Sequence, residues 1–219
     1  AYGPDPDPWA WPPIWHRLPH RRRTIMTTEN PRIADHPVDK MFTDRWSPRA
    51  FTGEPIPQAV LFTLLEAARW APSSYNSQPW RFLYATNNNA HWDKFLGLLN
   101  PFNQSWAKTA SALVFAVSET TMPGKDARVA SHSHSFDTGA AWACLALQAT
   151  LLGWHTHGMV GVDFDRVKTE LKIPDDHRIE AAIAIGKQGP KTLLPEALQA
   201  REFPSPRKPI SEIAFEGGF

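Results

Sequence analysis

Arg45, Ser47 and Arg49 alternate along one short stretch, and Pro48 disfavours helix at Ser47, so the stretch should be extended. Alternate residues of an extended chain share a face. Two guanidinium groups and a hydroxyl on one face can grip a phosphate, because charge-assisted hydrogen bonds are strong and directional. The plainer reading is a solvated surface strand with salt-bridged arginines, and composition by itself favours it. A second segment, Ala71-Pro72-Ser73-Ser74-Tyr75-Asn76-Ser77-Gln78-Pro79-Trp80, offers hydroxyls and two carboxamides. Amides carry both donors and acceptors and can read the edge of a heterocycle or a polyol chain. Alone, it is equally well a turn-rich connector.

Other chemistries lack their signatures. There is no Gly-x-Gly-x-x-Gly fingerprint, no phosphate-binding Gly-x4-Gly-Lys-Ser/Thr loop and no Gly-x-Ser-x-Gly elbow. Two His-x-His pairs, His132/His134 and His155/His157, could each turn two nitrogens to one face of a strand. No further ligand at a fixed spacing completes either pair, so no metal site is expected. The one cysteine, Cys144, sits among small apolar residues and reads as a buried hydrophobe. A single cysteine permits no intrachain disulfide and favours a reducing, cytoplasmic setting.

The elements that must position these groups can be read from periodicity. The 219 residues are 42% hydrophobic, enough for one sizeable core, and 23 basic against 22 acidic residues give no pull toward nucleic acid. No run approaches the roughly 18 apolar residues of a membrane span. A short helix is expected over 38–43 and a longer one from Pro57 to before Pro72, with Val60, Leu61, Leu64, Leu65 and Ala68 on its apolar face. Strands are expected over 80–85, 112–117, 156–160 and 179–185, and a helix over 163–171 capped by Asp163. The strongest helix spans 136–152, with Phe136, Ala140, Ala143, Leu147 and Leu151 as its face and Gly153 ending it. Its small residues suit close approach of another helix, in the core or across a dimer seam. The order points to an α+β or mixed α/β fold. Residues 1–25, with six prolines and an Arg21-Arg22-Arg23 run, show no period and are expected to be a disordered extension. Met26 looks like an ordinary start, leaving residues 26–219 as the folded domain.

Together the two segments resemble the nitroreductase-like FMN-dependent oxidoreductase family. The likeness is carried by Arg45-Trp46-Ser47-Pro48-Arg49-Ala50-Phe51, by Ala68-Arg69-Trp70-Ala71-Pro72-Ser73-Ser74 and by Asn76-Ser77-Gln78-Pro79-Trp80. Weaker elements follow in order: Asn103-Gln104-Ser105-Trp106, Asp137-Thr138-Gly139-Ala140-Ala141, Gly158-Met159-Val160-Gly161-Val162-Asp163 and Arg207-Lys208-Pro209. The resemblance implies a three-layer fold, a mostly antiparallel sheet flanked by helices, and an intertwined homodimer with FMN at the subunit interface. Arg45, Trp46, Ser47, Arg49 and Arg207 of one chain, with Pro72, Ser73, Ser74, Asn76 and Gln78 of the other, would hold the cofactor. Asn103, Val160 and Gly161 would face the flavin ring.

The implied activity is hydride transfer from NADH or NADPH to a small acceptor such as a nitroaromatic, a quinone or an activated alkene or carbonyl. The cofactor carries the chemistry, and no side chain is assigned as an acid or base. Dehalogenation, flavin cleavage or flavin storage on the same scaffold are the alternatives. Three positions depart from the family pattern. Ser205 replaces a second basic residue, so phosphate binding should lean more on Arg45 and Arg207. Lys187 stands where an aromatic is common, and Trp106 where some relatives have lysine. Tyr75, Trp106, Phe136 and Met159 are candidates for the acceptor slot.

Overall fold

The computed structural model describes residues 30–219, so the expectation for residues 1–25 lies outside the described residues. The helices are α1 (Lys40–Asp44), α2 (Gln58–Arg69), α3 (Trp92–Gly97), α4 (Pro101–Ala107), α5 (His134–Leu151), α6 (Phe164–Glu170) and α7 (Glu196–Gln199). The strands are β1 (Trp80–Thr86), β2 (Ala112–Glu119), β3 (Thr121–Pro123), β4 (Arg128–Ala130), β5 (His155–Met159) and β6 (His177–Gly186). Four of them make one antiparallel sheet in the order β1-β2-β6-β5, while β3 and β4 form a separate hairpin.

The apolar run of β2 explains its central place. A strand with no polar alternation must be covered on both faces. Leu113, Phe115 and Val117 pack with Phe95, Leu98, Trp106 and Val167 on one side. Ala112, Val114 and Ala116 pack with Leu61, Leu64, Ala141, Leu145 and Ala149 on the other. The result is three layers: α2 and α5, the sheet, then α3, α4, α6 and α7 with the extended chain. The small residues Ala112, Ala116, Ala141 and Ala149 let α5 lie close to the sheet, where alanine adds little bulk.

Local chemistry sets the helix ends. Pro57 is the N-cap of α2 rather than its first helical residue. Asp163 caps α6 by accepting from the amide of Arg166, as expected. Gly153 follows α5 with φ of 72°, the left-handed form that ends helices. The short α3 and α4 and the β3–β4 hairpin have no counterpart in the periodicity, because each is too brief to show one. For α4 the signal was a cap: Asn100 Oδ1 accepts from the Asn103 amide, and Pro101 opens the helix.

One assignment is corrected. The expected face of α5, Phe136, Ala140, Ala143, Leu147 and Leu151, is not the buried one: Phe136, Ala143 and Leu151 are exposed. The core side is Thr138, Ala141, Leu145 and Ala149. Both sets fit helical spacing, since the helix is apolar nearly all round, and periodicity cannot choose between them.

Candidate functional site

The stretch after α1 is extended, as the proline required, and it is fixed from two sides. His157 on β5 donates from Nδ1 to the carbonyl of Pro48 at 3.0 Å. Glu202 accepts through Oε1 from the amides of Arg49 at 2.8 Å and Ala50 at 2.9 Å. Arg45 reaches Ser47 Oγ at 3.2 Å, so these side chains do share a face. They line a cavity of about 380 Å3 together with Trp46, Arg49, Arg207, Phe203 and Ser205. Trp46 is only 3% exposed, sits edge-on to His155, and serves as a wall.

Arg32 and Arg201 also line this cavity, which brings five arginines to it. Among the described residues, none of the five lies within 4.0 Å of a carboxylate oxygen. Burial, and then crowding, shows in the acidity of Arg32, Arg45 and Arg49. Burial, and then the proximity of Arg207, lowers the pKa of Arg45. Burial, then Arg207 and Arg45, brings that of Arg32 down to about 10. Burial lowers Arg49 too, with Glu202 opposing and Arg201 adding to the fall. Guanidinium groups stay cationic at neutral pH. Unpaired, partly desolvated cations are costly, and an anion among them relieves that cost. Glu202 is itself 3% exposed, its Oε2 has no hydrogen-bond partner among the described residues, and burial raises its pKa.

A second cavity, about 520 Å3, lies on the other side of His157, which lines both. Its walls include Asn103, Val160 and Gly161 with Asn100, Phe102, Trp142 and Met159. Asn103 is buried and donates from Nδ2 to Gly161 O at 3.0 Å, while the Asn100 amide reaches the same oxygen at 2.9 Å. A Cβ on residue 161 would fall 2.4 Å from Asn103 Nδ2 and 2.5 Å from Asn100 Nδ2. Only glycine permits that approach.

Pro72, Ser73, Ser74, Asn76 and Gln78 line neither cavity of this chain. Their loop is strained. Tyr75, Asn76 and Gln78 have φ of 51°, 52° and 48°, a left-handed form that costs a non-glycine residue about 1 kcal/mol or more. Buried Asp137 holds it, accepting through Oδ2 from the Ser74 amide at 3.1 Å and from Ser133 Oγ at 2.9 Å. Ser73 Oγ accepts from the Gln78 amide at 3.0 Å. The side chains of Tyr75, Asn76 and Gln78 are left exposed.

Of the acceptor-slot candidates, Met159 lines the larger cavity. Trp106 lies in the core against Phe51 and His157, and Tyr75 and Phe136 are exposed on the surface. Lys187 stacks over Trp154 at 5.1 Å. Cys144 is half-buried rather than buried. His132 is exposed, and His134 meets Ser118 Oγ at 2.8 Å. Among the described residues, no three His, Cys, Asp or Glu side chains converge as metal ligands. The sequence reading missed Arg32, Arg201, Glu202 and His157 as site residues. Arg32, Arg201 and Glu202 lie in segments without periodicity and no local pattern marks them, whereas His157 was singled out only as half of a His-x-His pair on an expected strand.

Burial carries the largest share in bringing His155 and His157 from the ordinary 6.5 down to about 4. Arg45 adds to the fall at His155; at His157, Arg49 and Arg45 do so against the Pro48 hydrogen bond. Both rings are therefore neutral at pH 7, and the unfolded chain takes up protons that the folded one refuses. Stability is complete above about pH 6.5 and is lost as pH falls toward 4, by about 3 kcal/mol per histidine. Urea unfolding at pH 7.5 and pH 5 should show most of this loss, about 2 kcal/mol per histidine, and His155→Phe should roughly halve the total. Equal stability at the two values would contradict it.

The sequence model of the Nitroreductase family matches residues 42–102 and 94–187. A crystal structure described as an oxidoreductase containing FMN is 50% identical, with a TM-score of 0.85, covering 89% of this chain and 98% of that one. An uncharacterized 15.4 kDa protein of Mycolicibacterium smegmatis is 34% identical over 122 residues, 55% of this chain and 79% of that protein. A putative NADH dehydrogenase/NAD(P)H nitroreductase of Streptomyces coelicolor is 37% identical over 87 residues. That alignment spans 40% of this chain and 42% of the relative, less than half of its length.

Proposed function

This chain belongs to the nitroreductase family, and from that premise we propose that it is an FMN-dependent oxidoreductase using NADH or NADPH as electron donor. Nitroaromatics, quinones and activated alkenes or carbonyls are its acceptors. The observation that carries the reading is the cluster of five arginines, which has no carboxylate partner among the described residues and shares the wall residue His157 with a larger cavity bounded by Asn103 and Gly161. The donor set fits the group: unpaired guanidinium groups for a phosphate, and amide groups with a glycine turn beside a ring-sized space.

FMN, when bound, supplies the hydride chemistry, accepting from a nicotinamide and donating to an acceptor. Arg45 and Arg207 bind its phosphate. Arg49, its backbone locked by Glu202, presents a fixed cation, which favours a ring that gains negative charge on reduction. His157 separates the two compartments as a neutral ring, its Nδ1 proton held by Pro48. Phe102, Trp142, Met159 and Val160 give the larger cavity apolar walls suited to flat, aromatic acceptors.

The homodimer belongs to the same proposal. Its support is that the Pro72–Gln78 loop, strained and held with exposed side chains, lines no cavity of its own chain. A second copy would bring that loop to the site. The partner is then another copy of this chain, with neither nucleic acid nor membrane involved. A cytoplasmic setting is proposed with it. No helix among the described residues is long and apolar enough to cross a membrane.

The test is spectroscopic. Purified protein should be yellow, bleach anaerobically with NADPH or NADH, and regain colour on adding a quinone. Colour that neither nicotinamide bleaches would favour another flavin reaction or flavin storage. Colourless protein that ignores added FMN would overturn the whole reading.

A further inference from the structure

The N-terminal segment puts a charge where the sequence pattern shows a deficit. Ser205 carries no cation, yet its carbonyl oxygen accepts from Arg32 Nε at 2.8 Å, across 173 residues of chain. The same guanidinium donates from Nη1 to the carbonyl of Arg45 at 2.7 Å and to that of Thr43 at 3.3 Å. Arg207 also reaches the Ser205 carbonyl, at 3.3 Å. Arg32 is thus held in the wall of the smaller cavity beside Arg45 and Arg207. It lies before residue 42, outside the stretch that the family pattern matches.

We propose that Arg32 is a third phosphate-binding arginine, which takes the place of the basic residue missing at Ser205 and reads the terminal phosphate of the flavin cofactor. The inference rests on the FMN reading above. The physical case is that three backbone carbonyls orient the planar fork while no carboxylate among the described residues neutralises it. A guanidinium so placed is pre-organised and still carries its full charge toward the cavity. Burial, with Arg207 and Arg45 adding to it, disfavours its charge, and a phosphate dianion entering between the three cations relieves that cost. The expectation that phosphate binding leans more on Arg45 and Arg207 is thereby widened to a third cation, Arg32.

The test compares two ligands that differ only in the phosphate. Protein freed of flavin is titrated with FMN and with riboflavin, following quenching of flavin fluorescence, for the wild type, Arg32→Ala and Arg32→Gln. Both substitutions should weaken FMN by about 10- to 100-fold, the worth of a charge-assisted contact, and leave riboflavin within about 3-fold. The glutamine variant keeps a donor for the carbonyls and decides the matter should the alanine variant fold poorly. An equal loss for both ligands would mean that Arg32 only shapes the Arg45 backbone, and no loss would mean that it faces no phosphate; either result overturns the proposal. Wild-type protein that binds FMN no better than riboflavin would instead overturn the phosphate site itself, before any variant is made.

Discussion

Arg45→Ala/Arg207→Ala protein is expected to lose FMN while its flavin-free form keeps, or slightly gains, stability. Each arginine contributes a charge-assisted contact of roughly 1.5–3 kcal/mol, so losing both should weaken FMN by about 10^2- to 10^4-fold. The fold should not suffer in proportion. Arg45 gives up a side-chain hydrogen bond to Ser47, and Arg207 gives up bonds to exposed carbonyls, all of them replaceable by water. Against that, two of a set of mutually repelling cations are gone. A cation cluster without partners is a place where stability has been traded for binding. Flavin content after purification and thermal midpoints with and without added FMN give the two readouts. Wild-type flavin content in the double variant would refute the clamp. A large fall in the flavin-free midpoint would mean that these arginines also hold the fold together.

The sequence made some of this visible and hid the rest for definite reasons. The apolar run at 112–117 had to be a central strand, because no exposed strand leaves six successive residues without a polar face. Arg45, Ser47 and Arg49 were legible as a face because Pro48 dictates their backbone locally. The partners of that face were not. Arg32, His157, Arg201 and Glu202 reach it from segments 13 to more than 150 residues away, and long-range proximity leaves no trace in a single sequence. The Pro72–Trp80 loop was recognisable by its residue types, whereas its left-handed backbone and its tie to Asp137 were not. For α5 the ambiguity was intrinsic. A helix apolar all round has two faces to cover, and one chain covers only one of them.

That uncovered face carries the second prediction. Phe136 at 81% and Leu151 at 61% exposure bracket Gly139, Ala143 and half-buried Ala140 and Leu147 along one side of α5. Among the described residues nothing lies within 4 Å of a Cβ built at Gly139, and they leave this side open. If a second copy covers it, Ala143→Arg should leave the chain folded and break the pair. The guanidinium is solvated at an exposed position of the monomer, whereas in a helix seam it would be buried unpaired, at a cost of several kcal/mol. Light scattering should report monomers, with far-ultraviolet circular dichroism unchanged. The monomer should also be colourless, because the loop carrying Ser73, Ser74, Asn76 and Gln78 lines no cavity of its own chain. Ala143→Ser, nearly the same size and uncharged, should stay dimeric and yellow. A flavin-bearing monomer would refute completion of the site across the seam, and a flavin-bearing dimer with arginine at 143 would place the seam on another face. Losing both the pair and the colour ties the two halves of the site together: arginines gathered from one chain, and a strained loop offered by the other.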